Sequence, residues 1–297
     1  MILRDKPGLL QLLFALRGSV LPHIWPRIVG VTVIAAALVA VDRYVHTLTH
    51  TSAAPFAVFG VALSLFLGFR NNAAYDRWWE ARKLWGQLVA DSRALAREAA
   101  VFIEDDERRE AIQRLILVFI HHHRAQLRGL PAPKAAREWV EADFSTAPHP
   151  PCVVLNRLND EIIAAKQAGQ IDGFGLKALS ERTGRIALAQ AGCERIATTP
   201  LPYVYSLLVF RTTYLYCLLV PLALLEPAGW MTPAFVAVIA YVFFGLAEVT
   251  EELATPFGET VNGLPLDAMC RTIEISIAPH LGLEPPEQIN PRKYYLS

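Results

Sequence analysis

The chain has 297 residues, 53% of them hydrophobic and only 19% charged, with a mean hydropathy of +0.30. A soluble domain carries about 25% charged residues, so this chain is unusually apolar, though not uniformly so. Lys+Arg and Asp+Glu both number 28. A net charge of zero argues against nucleic acid as the main partner, because duplex binding needs a basic surplus.

From the N-terminus, "MILRDKPGLLQLLFALRGSV" has charges inside a short apolar run and no small-residue cleavage site, so no signal peptide is expected. Its Leu9, Leu10, Leu12, Leu13 and Leu16 suit an amphipathic helix, lying either at a membrane surface or against the protein's own body. Crossing a bilayer takes roughly 20 mostly apolar residues. Residues 28–41, 54–69, 203–225 and 233–249 supply four candidate spans. Two of these are short, and buried helices of a soluble core are the alternative for them, but four membrane spans are expected. Arg4, Lys6, Arg17 and Arg27 precede the first span, and Arg70, Arg77, Arg82 and Lys83 follow the second. The linker "EPAGWMT" between the last two has no Lys or Arg. The positive-inside rule then places both termini and the middle of the chain in the cytoplasm.

The predicted organisation follows. Residues 1–70 hold the amphipathic segment and two spans, 71–202 a cytosolic helical region, 203–250 two further spans, and 251–297 a cytosolic C-terminal segment. The middle region has apolar residues at three- and four-residue steps with charges between them, broken by Pro131, Pro133 and "APHPPC". The fold class is all-α. The four cysteines (Cys152, Cys193, Cys217, Cys270) are scattered, the pattern of a reduced compartment.

The stretch "GVALSLFLGFRNNAAYDRWW" (60–79) changes from apolar to charged within a few residues. On a helix, Val61, Leu65 and Phe69 make a bulky ridge, and Gly60, Ser64 and Gly68 make a small one beside it. Small ridges let helix backbones approach closely in membranes. The bulky row then either packs against another helix or, if copies surround an axis, forms stacked apolar rings of the kind that gate ions by dewetting. Arg70, Asn71 and Asn72 begin the wet part, and Asp76, Arg77 and Glu80 are candidates for pairing within or between subunits. Trp78 suits an anchor for packing more than a ligand contact.

"FLGFRNNAAYDRWWEARKLWGQL" resembles the signature of the bestrophin family in its bacterial form. "GCERIATTPLPYVYSLLVFRTTYLYC" and "EELATPFGETVNGLPLDAMCRTIEI" resemble two further blocks of that family, in the expected order. The resemblance implies a homopentameric ion channel with four membrane helices per subunit, in the bacterial inner membrane. It implies a neck lined by Val61, Leu65 and Phe69 and an aperture at the cytosolic mouth at Leu179, or in a second register at Leu176. Bacterial members favour monovalent cations such as sodium, and animal members conduct anions. Animal members also carry a calcium clasp after the "PFG"-like motif. Here that segment offers only Glu259 and Asp267, against the six to eight oxygens calcium wants, so no clasp and no cofactor is expected. The partners implied are lipid, ions and further copies of the chain. A non-conducting membrane scaffold is the rival class.

Arg211 is a charge inside a span, which is costly and calls for a partner. Counted from the outer ends, Arg211 and Glu248 lie about fourteen and fifteen residues deep, equal depths at roughly 1.5 Å per residue, so an Arg211–Glu248 pair is expected. The run His121-His122-His123 invites a metal reading. However, consecutive helical residues point about 100° apart, and no HxxxH or carboxylate pair completes a site. No catalytic cluster is recognisable, so no enzyme is expected.

Overall fold

The computed structural model describes residues 1–2, 8, 11, 15, 18–45, 48, 52–131, 134–140 and 142–297. The leucines proposed for an N-terminal amphipathic helix lie outside the described residues. The described chain is all-helical: α1 Leu21–Tyr44, α2 Ala54–Phe102, α3 Asp106–Arg128, α4 Lys134–Arg137, α5 Pro150–Gln167, α6 Gly173–Thr198, α7 Tyr203–Ala228, α8 Thr232–Ala254 and α9 Leu266–Ile277. It divides into two compact units. The membrane unit holds α1, the start of α2 through Trp78, and Pro200–Thr255; the polar unit holds Trp79–Thr199 and Pro256–Ser297. The boundary expected after residue 70 therefore falls inside a continuous helix, because "FRNNAAYDRWWEARKLW" contains neither Gly nor Pro to stop it.

Among the described residues three stretches are long and apolar enough to cross a bilayer: Leu21–Tyr44, Ala54–Phe102 and Tyr203–Ala254. The last is bent by a 3₁₀ turn over Gly229–Met231, and its two arms, α7 and α8, pack side by side. Gly229 has φ +49, the left-handed region, where a side chain is strained. Ile24, Val31, Ala35, Leu63, Leu67, Tyr216, Val236 and Phe244 meet in the core of this unit. Outside it, Val33, Val58, Val204, Phe210, Phe235 and Val238 stand exposed. Helices apolar on every side need an apolar surrounding, which makes this a membrane protein.

The polar unit is built around α3, which packs against α5, α6 and α9. Asp105 caps its N-terminus by accepting from the Arg108 backbone N–H at 2.8 Å, and Gly129 ends it with φ +64. From Leu115 to His123 every residue of α3 is buried, so this helix is surrounded. Asp91 of α2 is also buried and is held by Arg182 of α6, whose Nη1 donates to Asp91 Oδ1 at 2.8 Å. The same guanidinium donates to Glu98, with Nη2 to Oε1 at 2.6 Å. Removing one partner of a buried pair strands the other charge and costs roughly 3 kcal/mol. Arg182→Ala is therefore expected to lower the unfolding midpoint of the purified protein, and an unchanged midpoint would show that Asp91 does not depend on this arginine.

Candidate functional site

On α2 the packing face and the open face separate cleanly. Gly60, Leu63, Leu67, Arg70 and Ala74 are buried, at three- and four-residue steps. At Gly60 a Cβ would come within 2.6 Å of the Tyr216 hydroxyl, so any larger residue would force that ring to shift. Phe59 packs edge-on against the same tyrosine at 5.6 Å. On the opposite side Val61, Leu65 and Phe69 are 63%, 57% and 69% exposed. The three proposed neck residues thus share one open face. The small ridge divides differently from expectation: Gly60 packs, while Ser64 and Gly68 lie open beside the bulky row, and a Cβ on Gly68 would meet nothing within 4 Å.

Arg70 is not the first wet residue after the row. It is only 6% exposed, because its guanidinium turns inward to donate to Ser206 Oγ at 2.8 Å and to Glu251. Asn71 is half-buried and Asn72 exposed. Arg77 donates from Nε to the Ala254 carbonyl at 2.8 Å, which places a cation at the C-terminus of α8, where the helix dipole favours it. Trp78 is half-buried and Asp76 is exposed.

The expected Arg211–Glu248 pair does not form. Glu248 accepts from Arg27 of α1 at 3.2 Å, and Arg211 stands on the exposed side of α7, away from the buried line Val209, Thr213, Tyr216. Equal depth was correct as arithmetic, but depth says nothing about which way a helix face points. The end of α8 is clamped from several sides: Arg27 on Glu248, Arg70 on Glu251, and His23 Nδ1 3.9 Å from Glu252. Sequence reasoning missed Glu251 and Arg27, whose partners lie far away along the chain.

Leu179, the first choice for a cytosolic aperture, is fully buried. It belongs to the packing stripe of α6, Gly175, Leu179, Thr183, Ile186, Gln190 and Cys193, and cannot line an open passage. Leu176, the second choice, is half-buried and borders a groove of about 480 Å³ between α5 and α6, with Leu155, Ile162 and Ile163.

The three histidines of α3 go separate ways. His121 Nε2 lies 2.6 Å from Glu274, His122 sits edge-on to Phe144, and His123 stacks between Trp85 and Phe119. Among the described residues no group of three His, Cys, Asp or Glu is placed to hold a metal ion. Arg128 Nη1 reaches Asp267 at 2.7 Å and Glu259 at 3.4 Å. Burial raises the Asp267 pKa, but the hydrogen bond and charge of Arg128 outweigh it and hold the carboxyl below its usual range.

An all-helical membrane protein with one open apolar row on a long helix is thereby defined. The chain matches the Bacterial/Fungal Bestrophin protein family over residues 1–279 and belongs to it. It is 46% identical to a voltage-dependent anion channel-forming protein of Mesorhizobium japonicum, covering 100% of this chain and 97% of the relative. A voltage-dependent anion channel-forming protein of Escherichia coli K12 is 36% identical, covering 99% of each chain. The crystal structure of a bacterial bestrophin homolog from Klebsiella pneumoniae is similar with a TM-score of 0.84 at 32% identity, covering 88% of this chain and 100% of that one.

Proposed function

We propose that this chain is one subunit of a homopentameric ion channel in the bacterial inner membrane, with both termini cytoplasmic. Its four crossings are α1, the start of α2, α7 and α8. Monovalent ions, sodium among them, pass through a neck formed by five copies of Val61, Leu65 and Phe69. The observation that carries this reading is the open face of α2: three bulky apolar side chains in line, exposed in the single chain, on a helix whose other face is fully packed. Stacked apolar rings hold a pore dry until it widens, and Ser64 and Gly68 beside the row leave room for a neighbouring helix to approach. A narrowing at Leu176 would form the second constriction.

The channel uses no cofactor and catalyses no reaction. Calcium activation is not part of this reading, because Glu259 and Asp267, the carboxylates of residues 256–267, already face Arg128. Transport of anions is the second reading, favoured by the names of the Mesorhizobium and Escherichia relatives. Reversal potentials of purified protein in planar bilayers under asymmetric sodium chloride separate the two. A potential near the sodium equilibrium value supports cations, and one near the chloride value supports anions. Chemical crosslinking is expected to give a five-step ladder. Intact pentamers that pass no current would favour the scaffold.

A further inference from the structure

The exposed row of α2 continues beyond Phe69, and the first charge on it is acidic. At roughly 100° per residue, Asp76 points between the directions of Leu65 and Phe69. It is exposed, and no ion pair joins it to another described residue. The basic residues closest to the neck point the other way. Arg70 and Arg77 lie about 180° and 160° around the helix from Val61, where Arg70 meets Glu251 and Ser206 and Arg77 meets the Ala254 carbonyl. Arg70 and Glu251 cancel as a pair and contribute no net sign.

We propose that Asp76 sets the charge of the ion that passes. The inference rests on the pentameric-channel reading above: five subunits place five carboxylates in a ring just past the dry neck. Past Arg77 the nearest further charges on α2 are Glu80, Arg82 and Lys83, of which Arg82 points about 120° away from Asp76. Glu80 is engaged by Arg195 at 2.5 Å, and Lys83 is exposed on the same face as Asp76. Distance decides between Asp76 and Lys83. At about 1.5 Å per residue, Asp76 lies roughly 10 Å beyond Phe69 and Lys83 roughly 21 Å. The screening length at physiological salt is about 8 Å. The acid therefore acts on an ion leaving the neck across little more than one screening length, and the lysine across nearly three. Cations are favoured at the neck, and anions meet a repulsive ring. Of the arginines read from the sequence as flanking the neck, Arg70 is paired with Glu251, and Arg77 is turned to the packed side, where it meets the Ala254 carbonyl.

The test is the reversal potential of purified pentamers across a sodium chloride gradient, for the unaltered protein and for Asp76→Asn, Asp76→Glu, Asp76→Lys and Lys83→Gln. The unaltered protein should reverse near the sodium value. Asp76→Asn should lower the sodium-to-chloride permeability ratio by about fivefold or more, and Asp76→Lys should carry the reversal toward chloride. Asp76→Glu should keep the original reversal, which separates charge from shape, and Lys83→Gln should move it least. An unchanged ratio in Asp76→Asn, alongside altered conductance when the neck residues are truncated, overturns this assignment and leaves the channel intact. A chloride reversal of the unaltered protein overturns it as well. Pentamers that carry no current in any form remove the channel reading beneath it.

Discussion

Replacing His123 with phenylalanine is expected to remove most of the acid sensitivity of the polar unit between pH 6.5 and 4.5. His123 is fully buried, with its ring 5.7 Å from those of Trp85 and Phe119. Neither ring nitrogen has a hydrogen-bond partner among the described residues. Burial, and to a lesser degree the charge on His149, push its pKa down to about 3. The sign follows from linkage. The folded pKa lies below the unfolded value of about 6.5, so the unfolded chain takes up the proton first. The stabilisation is complete above pH 6.5 and declines as pH falls toward 3. Two units below 6.5 the loss is about 3 kcal/mol. Phenylalanine keeps the stacked ring and leaves no polar atom without a partner. The unfolding midpoint of the unaltered protein should therefore drop about 5–10 °C further than that of His123→Phe between pH 7.5 and 4.5. His122, which burial also lowers, titrates in the same direction in both proteins and cancels from the comparison. Asp267 and Glu274 have depressed values, so their contribution persists above the ordinary carboxylate range and fades only at lower pH. Parallel pH curves would mean that His123 is reached by water or a partner.

Much of this architecture was legible because membrane helices and amphipathic helices leave strong periodic traces. The apolar lengths located α1, α7 and α8, and the family resemblance singled out the row of Val61, Leu65 and Phe69 that lies on the open face of α2. Periodicity does not say which of several rows is packed. Gly60, Ser64 and Gly68 form as regular a row as the true packing line, yet only Gly60 lies under the Tyr216 ring. The real line passes through Arg70, which local sequence marks as wet. Its burial depends on Glu251, 181 positions away, and nothing near residue 70 announces that partner. Arg211 failed for a related reason. Its depth matched Glu248, but it lies on the open side of α7 and Glu248 faces α1. Leu179 is different, because the signal was present: Leu179, Thr183 and Ile186 already carry the spacing of a core stripe, and a leucine on such a stripe belongs to the core.

Truncating Val61, Leu65 and Phe69 together to alanine is expected to raise single-channel conductance and open time several-fold while leaving the fold of each subunit intact. Each of the three is more than half exposed in the single chain, so shortening them opens no cavity within it. Changes at such positions usually stay within about 0.5 kcal/mol. The conductance effect comes from wetting: a wider, less apolar ring holds water more readily, and each tenfold gain in passage corresponds to about 1.4 kcal/mol removed from the barrier. The control lies on the same helix. Leu63 and Leu67 face the core, and alanine at either should cost about 2–5 kcal/mol of stability while the surviving channels conduct as before. These two outcomes separate the uses of an exposed apolar row. A row facing lipid would lose neither conductance barrier nor stability on truncation. A row packed against a neighbouring subunit would weaken the pentamer, seen as loss of the crosslinked ladder, before altering current. Only a row that lines the passage couples side-chain size to ion flow with assembly unchanged. Unchanged flux in the triple variant would therefore place the conduction path elsewhere.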